Sequence, residues 1–291
     1  MANNNSLIAL LETRLAEQQA QPYAKLKSGL AELQTDFSRQ KFFYLFAICP
    51  RWFEKLPNRI DSDTQKEWLA HDRFGVLSTW QYPQLARLFI LLRVAEIVTP
   101  TDYIDHINQL YKTADVNELI LLGQSLAFIP HAEQLLERAR ESARSNIVTV
   151  FSSIAHNSNY AKRFFDESGW NQLILKAAFL AVPIWNIAGL KERNNRELAT
   201  MLRHYVNERQ AASRSVPWDL WCCIAWLAES DDEIAYLEQQ WHAADHKTQA
   251  AIYLALSENP TTQARAEKLL SQASKEITAV LNWSQLAQWP D

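Results

Sequence analysis

The stretch "DVNELILLGQSLAFIPHAEQLLERARESARSNIVTVFSSIAH", Asp115 to His156, decides the fold class. Asp115 stands where a helix N-cap belongs, ahead of "VNELILLGQSLAF", which Pro130 closes; "HAEQLLERARESAR" follows at once. Asn146 then offers a cap for "IVTVFSSIAH". Asp and Asn suit these positions because a short side-chain oxygen can accept from the unpaired N–H groups of the first turn. Three short helices joined by links of a few residues leave room for little but antiparallel hairpins.

The same grammar extends outward. Leu7, Leu10, Leu11 and Leu15 of "LIALLETRLAEQ" recur at the three-and-four spacing of one helix face. "DFSRQKFFYLFAICP" gives a helix ended by Pro50, and "PQLARLFILLRVAEIV" a strongly apolar one. Between them "CPRWFEKLPNRIDSD", Cys49 to Asp63, is the longest irregular stretch and a candidate functional loop. Pro100 or Thr101 starts the helix "DYIDHINQLYKTA", "SDDE" (Ser230 to Glu233) has capping-box spacing, and Thr261 caps "TQARAEKLLSQA". No strand alternation is visible, and 5 Gly in 291 residues leave few hairpin turns. The expected fold is all-α, with helical hairpins stacked in a HEAT-like, α-solenoid-like array without a strict repeat. A single domain over 1–291 is expected, subdivided into 1–98, 99–228 and 229–291.

Composition narrows the function. Net charge is −4, and no run of Lys or Arg is long enough to follow a nucleic-acid backbone. Three cysteines (Cys49, Cys222, Cys223), two of them adjacent, make a poor disulfide framework and suit a reducing cytosol. The start lacks a basic n-region, so no signal peptide is expected. Leu173 to Leu190 is the most apolar run, but Lys176, Pro183, Asn186 and Gly189 interrupt it, so no transmembrane segment is expected.

Enzyme signatures are absent: no GxGxxG, no Walker loop, no GxSxG, no HExxH. "HAADH" sets His242 and His246 four apart, but Asp245 reads as a helix cap, so the pair straddles a turn rather than converging on a metal. Cys222 and Cys223 read as small buried residues. No catalytic residue, metal site or cofactor is assigned.

The middle third poses the functional question. "GWNQLILKAAFLAVPIWNIAGL" (Gly169 to Leu190) is apolar enough for an interior yet carries Trp170, Asn171, Gln172 and Lys176. A buried amide or ammonium costs several kcal/mol unless partnered. Upstream, Ile147, Phe151 and Ile154 form an apolar stripe, with Thr149, Ser152, Ser153 and His156 on the other side. Downstream, "GLKERNNRELATMLRHYVNERQAASRSVPWDLW" supplies Arg193, Arg196, Arg203, Arg209 and Arg214, with Tyr205 placed to pack under Arg209. Lys176 can snorkel, pair with a carboxylate such as Glu208, or offer charge to an anionic ligand.

These segments, with "CPRWFEK", resemble the EboA family of metabolite traffic proteins from about Lys41 to Trp226. The matching positions include Arg144, Asn146, Tyr160, Trp170, Asn171, Gln172, Lys176, Gly189, Leu190, Arg193, Asn195, Leu198, Tyr205, Glu208 and Arg209. The resemblance implies a component that moves a secondary-metabolite precursor toward the membrane or periplasm, alongside sister proteins that include a membrane prenyltransferase-like protein. The chain departs where "YVNERQAASR" places Asn207, Gln210 and Ser213 in the positions of a family His, Trp and Gly. "NSNYAK" likewise stands where the family has Asn-Pro-Tyr-Pro. The first expectation is a non-enzymatic cytoplasmic binding or adaptor protein for an aromatic or isoprenoid-like metabolite. In it Trp170, Asn171 and Lys176 line a cleft, Tyr160, Arg193 and Arg209 lie across from them, and Arg144, Asn146, His156, Tyr205 and Glu208 complete the ligand-binding set. The same residues can instead form a satisfied network that locks helix to helix. Two alternatives stand beside it: a scaffold that docks sister enzymes or a membrane partner, and an enzyme using Lys176, His156 or Glu208 as acid or base.

Overall fold

A computed structural model describes residues 4–58, 66, 76–156, 158–274, 277 and 282–289. Among them the secondary structure is helical, with one isolated bridge between Pro57 and Gln81 and no strand. None of these helices is long and apolar enough to cross a membrane. The chain forms two compact units, Met1–Phe164 and Phe165–Asp291.

The first unit holds α1 (Asn4–Gln18), α2 (Ala20–Thr35), α3 (Arg39–Ile48), α4 (Val76–Thr79) and α5 (Tyr82–Ile97). It continues with α6 (Pro100–Thr113), α7 (Val116–Ser125), α8 (Leu136–Arg144), α9 (Val148–Ala155) and α10 (Tyr160–Phe164). Helix α5 is strongly apolar, with ten of its residues buried, and accordingly central; α1, α2 and α3 pack against it. Leu7, Leu11 and Leu15 of α1 are buried, as their spacing predicts. The irregular stretch after α3 holds a 3₁₀ turn at Cys49–Arg51 and a buried Asn58 whose side chain accepts from Arg14 Nε (2.8 Å) and donates to the Leu77 carbonyl (3.4 Å). Residues 59–63 of that stretch lie outside the described residues.

Caps set most boundaries. Asp115 and Glu118 form a reciprocal capping box at α7. Helix α6 starts at Pro100, one of the two expected starts, and Thr99 caps it, its hydroxyl accepting from Asp102 N–H (3.2 Å). Two expected caps are corrected. Ile147 occupies the cap position of α9, because the Ser145 hydroxyl accepts from its N–H (3.1 Å) and closes the turn ahead of it. Ile147 is therefore exposed, while Phe151 and Ile154 of the expected stripe are buried. In the second unit, Asn259 Oδ1 accepts from Thr261 N–H (3.0 Å), and the cap position falls one residue later, at Thr262, whose hydroxyl donates to Leu256 O (2.8 Å).

The second unit holds α11 (Glu167–Phe179), α12 (Leu190–Arg193), α13 (Arg196–Ala211), α14 (Leu220–Ala225), α15 (Asp231–Ala243), α16 (His246–Ser257), α17 (Gln263–Gln272) and α18 (Trp283–Ala287). All six residues of α14 are buried, Cys222 and Cys223 included, and α13 and α16 pack against it. Burial holds the Cys222 thiol well above its ordinary range, in keeping with a packing role. Ser230 and Glu233 make the expected capping box at α15, and Asp245 caps α16. His242 and His246 thus sit on successive helices.

Helices α7 and α9 cross at a small-residue contact. A Cβ on Gly123 would stand 2.1 Å from Ser153 Oγ and 3.1 Å from its Cβ. The Ser153 hydroxyl is turned toward the Val150 carbonyl (2.7 Å), so the side chain has little freedom to yield. Gly123→Val should therefore destabilise the protein by about 1–3 kcal/mol through overpacking, measured as a lower denaturant midpoint. An unchanged midpoint would mean the helices separate freely there.

Candidate functional site

The polar residues of Gly169–Leu190 divide by depth. On α11, Trp170 and Asn171 are buried, Lys176 is half-buried and Gln172 is exposed. Asn171 answers the cost of its burial with three contacts. Its Oδ1 accepts from Asn195 Nδ2 (2.9 Å), and its Nδ2 donates to Asn195 Oδ1 (3.3 Å) and Glu197 Oε2 (3.4 Å). Asn195 also caps α13, its Oδ1 accepting from Leu198 N–H (2.8 Å), while its Nδ2 reaches the Arg193 carbonyl (3.2 Å). One residue earlier, Asn194 Nδ2 donates to the Cys223 carbonyl (2.8 Å). The turn between α12 and α13 is thereby tied to α11 on one side and α14 on the other.

Arg193 lies over the Trp170 ring, with Cζ 4.8 Å from its centroid. Burial lowers the Arg193 pKa, opposed by Glu167 and Asp166. The Trp170 indole N–H is buried and has no hydrogen-bond partner among the described residues. Trp170, Asn171 and Arg193 therefore meet at one end of α11. At the other end, Lys176 Nζ sits 5.8 Å from the exposed Phe179 ring, and Tyr205 Oη donates to the Ala178 carbonyl (3.2 Å).

Arg209 closes the C-terminus of α13. Its guanidinium donates to Tyr205 Oη (3.0 Å) and to the Ser215 carbonyl, and Cζ lies 5.5 Å from the Tyr205 ring. Glu208, next to it, is exposed. The remaining four expected residues belong to the first unit. Tyr160 is buried, donates to the Ala132 carbonyl (2.7 Å) and has its phenol pKa raised by burial. Arg144 is exposed and ion-paired with Glu137 (2.7 Å), Asn146 is exposed, and His156 is half-buried at the C-terminus of α9.

Other features were not singled out from the sequence. Asp219 is a buried carboxylate that accepts from the N–H groups of Ile184 (2.6 Å) and Trp185 (3.4 Å), pinning the chain after Pro183; burial raises its pKa against the pull of those donors. Glu258 accepts from Trp226 Nε1 (3.0 Å) and Trp283 Nε1 (2.7 Å) and pairs with Lys191 (2.6 Å). Between α13, α14 and α15 lies a partly enclosed cavity of about 90 Å³. Arg196, Thr200 and Arg203, at helical i, i+4, i+7 spacing, form its polar wall, and that spacing was its one signal in the sequence. Among the described residues no three His, Cys, Asp or Glu side chains gather as metal ligands.

The family model described as metabolite traffic protein EboA matches residues 4–225. The chain belongs to the EboA family. No curated protein and no solved structure matches it. The match reaches further toward the N-terminus than the resemblance from Lys41 and ends within α14. Several family-like positions have packing roles here: Asn171 and Asn195 pair, Leu190 and Leu198 are buried, and Gly189 has φ 87°.

Ser213, expected as Gly from the family pattern, has φ 52°. Arg214 N–H bonds Arg209 O (2.8 Å) and Ser213 N–H bonds Gln210 O (2.9 Å), the paired bonds of a Schellman closure with Ser213 at the left-handed position. A side chain there is strained. Ser213→Gly should stabilise the protein by about 0.5–1 kcal/mol, read by chemical denaturation; a loss of stability would show that the serine side chain supplies a compensating contact.

Proposed function

We propose that the chain is a non-enzymatic binding or adaptor component in the traffic of a secondary-metabolite precursor, aromatic or isoprenoid-like, acting in the cytoplasm and handing its cargo toward the membrane. In this reading the helices form a HEAT-like stack, and the partners are the sister proteins of the same traffic system, a membrane prenyltransferase-like protein among them. The family match over residues 4–225 carries the reading. Supporting it, Lys176 beside the exposed Phe179 pairs apolar surface with a cation on α11, and Arg193 of α12 lies over the buried Trp170 ring. That combination suits an apolar metabolite bearing an anionic group. In the second unit Asn171, Tyr205, Glu208 and Arg209 complete the ligand set, Asn171 and Arg209 by holding the framework; in the first unit Arg144, Asn146, His156 and Tyr160 are proposed as ligand contacts of that unit by itself.

A second reading, a scaffold without a small-molecule ligand, draws on the exposed apolar residues Tyr44, Ile147, Val148 and Phe179. Contiguous apolar surface left in water marks a face that a partner covers, and Ile147 and Val148 are adjacent in the chain.

Native mass spectrometry of protein purified gently from its own host separates the two. The traffic reading predicts a discrete small-molecule adduct that denaturation releases and that Lys176→Ala or Arg193→Gln depletes while thermal stability is kept. These variants are preferable to Trp170→Ala, since removing a fully buried Trp costs about 3–5 kcal/mol. A ligand-free mass accompanied by co-purifying sister proteins would overturn it in favour of the scaffold.

A further inference from the structure

The cavity between α13, α14 and α15 contains none of the residues considered above for the metabolite. Its floor is apolar, from Ile224, Leu227 and Leu237, and Tyr236 and Arg203 stand together at its wall, with the Arg203 Cζ 4.4 Å from the Tyr236 ring centroid. The charges are unequally spent. Arg196 is held by Glu229 and by Glu233 (3.2 Å), whereas among the described residues Arg203 has no carboxylate partner. Arg203 hydrogen-bonds the Tyr236 side chain, and of a guanidinium's N–H donors others remain to grip a carboxylate.

Glu233 limits what can enter. Its carboxylate accepts the backbone N–H groups of Glu229 and Ser230 (3.0 Å each), and these hold its pKa down at about 2. It is thus a fixed negative charge on the wall; with Glu229 it more than offsets Arg196, so the one positive charge left to a ligand is that of Arg203. A dianion such as a phosphate monoester would meet that carboxylate with a surplus charge; a monoanion would not. The volume accommodates about six to nine water-sized groups, enough for a carboxylate and the ring or short chain that bears it.

We propose that this cavity is a binding site for a monocarboxylate with a flat or short apolar body, its carboxylate on Arg203 and its body on Ile224, Leu227 and Leu237. The site is independent of the traffic reading, since the protein can hold such a ligand as cargo or as a regulator.

Benzoate is the probe, titrated into the full chain with methyl-labelled Ile and Leu and followed by NMR. Saturable shifts at the Ile224, Leu227 and Leu237 methyls are expected, with neutral benzamide producing none and phenyl phosphate binding more weakly. Arg203→Gln should weaken benzoate about tenfold or more. Ala199→Leu, which fills the cavity from α13 without touching a charge, should abolish binding, so the test survives if the arginine variant folds poorly. Absence of saturation, equal affinity in wild type and Ala199→Leu, or phenyl phosphate outcompeting benzoate would each overturn the assignment.

Discussion

Asn171 and Asn195 exchange side-chain hydrogen bonds in both directions, and much of the second unit depends on that pairing. Asn171 is buried on an apolar helix face, where an unpaired amide would cost about 1–3 kcal/mol. Asn195 removes that cost and at the same time caps α13. Because the cap fixes where α13 begins, it also fixes the spokes that follow: Leu198 and Leu202 in the core, Tyr205 reaching back to the α11 backbone, Arg209 closing the end. One amide pair thus sets the register between two helices that are separated in sequence by an irregular turn. Arg193 over Trp170 adds a second clasp at the same corner.

The family match ends inside α14, but the second unit does not. Helix α14 is buried along its whole length with α16 packed against it, and Ala250, Ala251 and Leu254 of α16 form a buried cluster with Ile277 and Leu286. Around that core Trp218 stacks on Trp283, Trp226 meets Trp283 edge-on, and Glu258 takes both indole N–H groups of Trp226 and Trp283. Part of the chain's wealth of tryptophan is explained here. The indoles cover the core and need an acceptor, which one carboxylate provides.

The all-α class was legible because it rests on local chemistry: leucine periodicity in α1, Asp115 and Asp245 before helical runs, Ser230 with Glu233 three residues on. Caps failed where a neighbour competed, as the Ser145 hydroxyl did ahead of Ile147 and the Asn259 amide ahead of Thr262, since a side-chain acceptor two residues away leaves no periodic trace. The site was legible only as a contradiction, polar residues inside an apolar run. Its resolution lay outside the run: Asn171 is paired 24 residues away, and Asp219 holds Ile184 from 35 residues away. The cavity wall of Arg196, Thr200 and Arg203 was readable as spacing, but its apolar floor comes from two other helices, and sequence spacing carries no information about that convergence.

The most direct measurement is a double-mutant cycle on Asn171→Ala and Asn195→Ser by chemical denaturation, the serine keeping a cap on α13 while losing its reach to Asn171. A register set by this pair predicts a coupling of about 1 kcal/mol or more between the two substitutions. Additive effects within about 0.3–0.5 kcal/mol would contradict it, and would shift the seat of the corner's stability to the Trp170–Arg193 clasp.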